Sequence, residues 1–275
     1  MSAIKNEQGA EPGVSPDIEK GDGRRPSSLT NFWQYLGEEV DPLQSTAPLG
    51  AFSFMTGFLD AMSFTAVYVW CGFQTGNFIQ LALAIARLWE GTGTTFRIAD
   101  QQALASLLSF NAGAFLGRIG DHIGPKRRIW LIAGTFLQTL FTMAASIAVW
   151  KSGQGSIAAE RGDPSWSNVD TFVALCFMSA SLGLQGIVAK RLNTQFGTTI
   201  VLTTIWVELM SDPHLFKLTE HVRTRDHRLI AAGTLFLGGF TSRALLAQIG
   251  SAKTLAIGTG LRFLVSLAWI FVPGK

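Results

Sequence analysis

Few residues in this chain are able to do chemistry, and Asp60 is the most conspicuous. It lies in GFLDAMSFTAVYVWCGFQTGN (57–77), within an apolar stretch that begins near Leu49 and that Thr75, Gly76 and Asn77 interrupt. A carboxylate at the centre of a bilayer costs at least about 2.5 kcal/mol on insertion scales, so it normally faces a cavity or a partner. Aspartate is too short to reach the interface, and Asp60 is therefore expected to be protonated or paired. Thr-Gly-Asn suggests unwound backbone, which a membrane tolerates only where protein buries it or it lines a cavity. Half-helices that aim their N-terminal amides at a shared midplane are one way transporters hold a solute. The candidate solute- or ion-binding set is thus Asp60, Thr75, Gly76, Asn77, Gln185 and Glu208, with Arg118, Arg243 and Arg262 as possible charge partners. Asp60 could carry a coupling proton or form a structural ion pair.

The elements that must position these residues are apolar helices. In 275 residues, 48% are hydrophobic and 15% charged, against roughly 25% charged in ordinary soluble domains. Long apolar segments cover about 49–72, 103–119, 129–150, 170–189, 229–249 and 254–272, each long enough to cross roughly 30 Å of hydrocarbon. Two shorter ones lie at about 76–88 and 198–210. The expected fold is an all-α integral membrane protein with about six transmembrane helices and two short re-entrant or broken helices. The alternative has eight spans.

An internal repeat organises these segments. In FNAGAFLGRIGDHIGPKRRIWLIAGTF (110–136) and LGGFTSRALLAQIGSAKTLAIGTGLRF (237–263), Gly113, Phe115 and Arg118 match Gly238, Phe240 and Arg243. Gly124 and Gly134 match Gly250 and Gly260 after a one-residue shift. Extended backwards, Gly57–Asp60 falls opposite Gly183–Gly186, with Gln185 read as the counterpart of Asp60. Thr75–Asn77 falls near Thr203 and Thr204. Repeat one is 48–150 and repeat two 170–272. Short segments that fail to cross make the halves inverted, whereas short segments that cross make them parallel. Six spans with an inside N-terminus leave only Arg87, Arg97, Lys151, Arg161, Arg243 and Lys253 outside, with Arg262 inside a span. Eight spans divide the cations less unequally, so the positive-inside rule favours six and a cytoplasmic N-terminus.

Residues 1–45 read as a disordered polar tail, with an interfacial helix at 31–40 that lines up Phe32, Trp33, Leu36 and Val40. A second interfacial helix is expected after Asp212, with Leu215, Leu218 and Val222 as its stripe. Cys71 and Cys176 are expected as small core residues. His214, His221 and His227 lack the i, i+4 spacing of a helical zinc site. The net charge of +3 comes from loops, without the basic, aromatic-interleaved surface that nucleic acid needs. Protease, hydrolase and phosphate-loop motifs are absent. No catalytic residue, metal or cofactor is expected, and the chain is not read as an enzyme.

Gly57-x-x-Asp60-Ala61-x-Ser63-Phe64, then Thr75-Gly76-Asn77 and the later Gly183-x-Gln185, resemble the YoaK-type family of multi-pass membrane proteins, a domain-of-unknown-function family. The resemblance covers about 48–272. It departs at Gly186, where relatives often have Asn, and at Thr203-Thr204, where they have a second Thr-Gly. It implies the architecture and supplies no substrate, cofactor or catalytic residue. The functional expectation is a transporter or channel-like protein for a small solute or ion, with a midplane site around Asp60. The alternative is a membrane scaffold or assembly factor in which Asp60 is a structural ion-pair residue. Partners follow: the lipid bilayer, the solute or ion, and a second copy through Gly-rich helix faces; the pairs Gly113/Gly117 and Gly120/Gly124 are expected as packing faces rather than ligand contacts.

Overall fold

The computed structural model describes residues 28–194, 196, 202–217 and 219–275, and no strand occurs among them. The helices are α1 (Ser28–Gly37), α2 (Thr46–Val67), α3 (Gln74–Trp89), α4 (Ile98–Gly117), α5 (Ile119–Ile123), α6 (Arg128–Ser152), α7 (Val169–Leu192), α8 (Leu202–Met210), α9 (Arg223–Ile249) and α10 (Ser251–Ala268). Five stretches, Ile98–Ile123, Arg128–Ser152, Val169–Leu192, Arg223–Ile249 and Ser251–Phe271, are long and apolar enough to cross a membrane. The chain is an all-α protein of the integral membrane type.

Helix α2, expected as the first span, is not among those five, although its 22 residues extend about 33 Å at 1.5 Å per residue. Its position explains the difference. Ser53, Thr56, Asp60 and Ser63 are all buried in it, and a helix wrapped by protein can carry polar groups that a lipid-facing helix cannot. The Ser53 and Thr56 hydroxyls donate to the Leu49 and Phe52 carbonyls one turn back, so neither is left unsatisfied.

Local chemistry sets several helix boundaries. Asn168 caps α7 by accepting the Thr171 N–H, and Asp100 in the first turn of α4 accepts the Arg97 N–H, each satisfying a donor at a helix start. Two non-glycine residues adopt positive φ, Tyr68 (57°) after α2 and Asn193 (53°) after α7. Both end their helices in the left-handed conformation that commonly terminates a helix.

Contacts along the helices fix their directions. α2 and α9 run parallel: Gly50 faces Ile230 and Thr234, and Gly57 faces Leu235 and Gly239. α4 and α7 are also parallel, with Gly113 against Ala180 and Gly117 against Ile187. α6 runs antiparallel to α10, from Ser266 beside Ile132 to Ala252 beside Ser146. It is also antiparallel to α7, with Ser181 beside Gln138 and Val188 beside Gly134. α2 opposes α10, with Phe52 against Trp269 and Phe58 against Gly258. Helices α2, α6 and α9 therefore point one way and α4, α7 and α10 the other. The two tightest crossings require glycine. A Cβ on Gly57 would collide with the Leu235 carbonyl, and one on Gly183 with the Phe110 carbonyl. Gly113, Gly117 and Gly120, expected as packing faces, pack against Ala180, Ile187 and Trp130.

The segment expected as an interfacial helix after Asp212 is a series of turns, and Leu218 lies outside the described residues. Arg225 accounts for this. Its guanidinium collects the carbonyls of His214, Lys217 and Glu220, so these carbonyls are satisfied without a helix. At the same end of the bundle the two chain ends meet. The Asp41 N–H donates to the Pro273 carbonyl and the Lys275 N–H to that of Glu39. Arg128, fully buried, donates to the carbonyls of Tyr35 and Val272 and lies 3.7 Å from the centre of the Tyr35 ring. The helix expected at 31–40 ends at Gly37, with Phe32 and Trp33 exposed and Leu36 buried, and Val40 is buried beyond it, bridged to Gly274.

Candidate functional site

After α2 the chain turns back into the bundle before α3 leaves it. α2 ends about 30 Å from its start at the helical rise, yet the Gly72 N–H returns to the carboxylate of Asp60, two turns inside that helix, at 2.7 Å. α3 then runs outward from this depth: Asn77 meets Ser106 within α4, and Arg87 meets Asp100 at the start of α4. The expected break is therefore real but displaced. Residues 68–73 are non-helical, whereas Thr75, Gly76 and Asn77 belong to the first turns of α3. The sequence hid this because the reversal runs through the apolar VYVWCGF.

The buried backbone of 68–73 is bonded by side chains from three helices, α2, α3 and α4, as a water-free interior requires. Asn77 brackets Trp70, its Nδ2 donating to the carbonyl (2.6 Å) and its Oδ1 accepting the N–H (3.3 Å). Gln74 Nε2 donates to the Cys71 carbonyl at 2.6 Å. Ser106 Oγ donates to the Trp70 carbonyl at 2.8 Å and lies 2.9 Å from Ser179 Oγ of α7. Sequence reading missed Gln74, Ser106 and Ser179. The signal available for Ser106 and Ser179 was a hydroxyl in mid-segment, which is too common in membrane helices to single them out.

One oxygen of Asp60 is left over. The residue is 1% exposed, and Oδ2 is buried with no hydrogen-bond partner. It borders a lateral cleft of about 500 Å³ between α2 and α9. Gly57, Phe64, Trp70, Phe240 and Arg243 are among the cleft's other lining residues. Phe64 and Trp70 stack with ring centres 4.1 Å apart, and the wall is otherwise largely apolar. The arrangement is a buried carboxylate whose free oxygen lies against Gly72, in a cleft also lined by the rings of Phe64 and Trp70 and by the exposed Arg243. It is chemically able to accept a proton or a cationic group.

The remaining candidates are spread out. Gln185 Nε2 donates to the Phe52 carbonyl (3.0 Å) and Thr56 Oγ1 (2.8 Å), on α2 but one turn from Asp60. The glycine register pairs Gly57 with Gly183, so the position matching Asp60 is Gly186 rather than Gln185. Glu208 lies near the surface and pairs with Arg228 at 3.1 Å. Thr75 and Gly76 are exposed, and the indole of Trp70 lies against Gly76. Arg118 lies at the end of α4 over the Phe115 ring, and Arg262 is buried against Gln138. Neither forms an ion pair with Asp60, and Arg243 forms none with it either, among the described residues.

A family model described as a protein of unknown function (DUF1275) matches residues 49–268. The chain belongs to the DUF1275 family. Comparison with curated proteins and with solved structures finds no match. The DUF1275 region contains the whole of the re-entrant segment and the cleft. It leaves out α1, the 38–41 strand-like stretch and the last seven residues, which together close the opposite end of the bundle.

Proposed function

We propose that this membrane protein is a transporter or channel-like protein for a small solute or ion, with Asp60 as the ligand or proton carrier. The observation that carries the reading is the unpartnered Oδ2 of Asp60 beside an open cleft, where a carboxylate at membrane depth has a vacant acceptor. A non-helical segment that dips to the same depth and leads into a half-helix supports it. The proposed architecture has six spans, α2 among them, and two inverted halves. Support comes from helix directions, which leave α3 between the end of α2 and the start of α4 at one face of the bundle. Recurrence at nearly constant spacing supports the duplication: Gly57 with Gly183, Gly113 with Gly238, Tyr68 with Asn193 and Gly124 with Gly250. The end where residues 39–41 meet 273–275 collects most of the Lys and Arg among the described residues, which supports placing it in the cytoplasm. No catalytic residue is assigned.

The second reading is a membrane scaffold. It is favoured by the Gly72 N–H bond to Asp60, which makes the carboxylate a clamp on the 68–73 loop rather than half of an ion pair. A deletion strain complemented with wild type or Asp60→Asn separates the two. Under the transport reading, metabolite profiles return to normal only with wild type, although both proteins reach the membrane in equal amount. The compound that shifts is then taken up by proteoliposomes containing wild type and not by those containing Asp60→Asn. Full complementation by Asp60→Asn would leave only the scaffold.

A further inference from the structure

A second unsatisfied polar centre lies where α6, α7 and α10 meet, on elements separate from the cleft wall. Arg262 is near the middle of the Ser251–Phe271 stretch and is 1% exposed. One of its terminal nitrogens donates to Gln138 Oε1, while its Nε and Nη2 are buried without partners. Gln138 Nε2 is buried without a partner as well. Its amide is oriented by the guanidinium, which can only donate and so holds the oxygen of Gln138 towards itself. Nearby hydroxyls are already engaged: Thr142 donates to the Gln138 carbonyl, and Thr135 accepts the Trp269 indole N–H.

The charge is what matters here. A guanidinium remains protonated in a protein, and a charge in the membrane interior ordinarily has a partner. Among the described residues no ion pair includes Arg262, and Asp60 is engaged by Gly72. Bridging water would satisfy the N–H groups and bring no charge. Three free N–H-bearing nitrogens from two packed helices, with one uncompensated positive charge, suit a small monovalent anion. We infer that the Arg262–Gln138 centre binds an inorganic anion of halide size, independently of the Asp60 cleft. Gln185, whose Oε1 is the buried acceptor left free on α7, belongs to the neighbouring polar layer and is not a ligand.

The test uses the full chain in nanodiscs, with thermal unfolding followed by tryptophan fluorescence in sodium chloride or sodium gluconate at equal ionic strength. Wild type is expected to be stabilised saturably by chloride over gluconate, and to broaden the chloride-35 magnetic resonance line. Gln138→Glu supplies a built-in counter-charge beside Arg262 and is expected to fold while losing both responses. Asp60→Asn is expected to keep both, which separates this site from the transport reading. Absence of a chloride response in wild type would overturn the inference, as would an undiminished response in Gln138→Glu. If Arg262→Gln folds, it must also lose the response, and retention there is equally fatal.

Discussion

The α2–α9 and α4–α7 crossings are alike in backbone and unlike in chemistry. Each is a parallel pair in which a glycine of one helix lies against a carbonyl of the other: Gly57 against Leu235 and Gly238 against Phe54 in the first, Gly183 against Phe110 and Gly113 against Ala180 in the second. Three residues beyond Gly57 stands Asp60, which lines an open cleft, whereas three residues beyond Gly183 stands Gly186, with no side chain to offer, followed by Ile187 packed onto Gly117. The arginines differ in the same way. Arg243 lines the cleft, while its match Arg118 lies over Phe115 at the other end of the bundle. The two crossings share close glycine–carbonyl packing, and only the α2–α9 crossing has a carboxylate among the residues that line a cleft.

The strongest way to break this comparison is to attack the shared part. Gly57→Val and Gly183→Val are each expected to cost about 3 kcal/mol or more, because the added atoms meet backbone that cannot move aside. Loss of the monodisperse peak in fluorescence-detected size exclusion would show it. If only Gly57→Val failed, the two crossings would not be equivalent. Next comes the clamp. Asn77→Ala removes both bonds to Trp70 and the bond to Ser106, an expected loss of about 2–3 kcal/mol, with faster amide exchange confined to 68–73. Thr203, which the repeat places opposite Asn77, is exposed, and Thr203→Ala is expected to change stability by less than about 0.5 kcal/mol.

Asp60→Asn keeps the shape and an oxygen for the Gly72 N–H, so unfolding is expected to shift by no more than about 1 kcal/mol while uptake is lost. A large loss of stability with uptake retained would move Asp60 from the functional to the structural side. The smallest effects concern the arginines. Arg243→Ala is expected to raise the KM for uptake a few-fold with no change in the melting temperature. Arg118→Ala is expected to change neither by a measurable amount, since it makes an exposed ring contact.

The sequence revealed what depends on local pattern and hid what depends on distant partners. Five helices long and apolar enough to cross a membrane were visible because each is an apolar run of membrane length, and α2 was visible as an apolar run although it is not one of the five. Gly57, Gly113, Gly183 and Gly238 stood out by their spacing, and each lies against a carbonyl of a neighbouring helix. The position of the break was misread, because Thr-Gly-Asn has the composition of a turn and VYVWCGF does not. The latter is bonded by Asn77 and Asp60, 7 and 12 positions from their partners, and by Ser106, 36 positions away, contacts that an apolar run does not announce. The segment after Asp212 had helical spacing, and Arg225 overrode it by taking three carbonyls. Arg262 was seen as a charge in a span, but its partner Gln138 is 124 positions away.

The meeting of residues 39–41 with 273–275 makes the path of the backbone almost a closed ring. A closed ring has no privileged starting point. A circular permutant joined near Glu39 and Lys275 and opened in the glycine-containing connection at 153–155 would omit α1 and translate α7–α10 before α2–α6, with α2–α10 still able to reach the same neighbours. The order in which the halves leave the ribosome would then be separable from the order in which they pack.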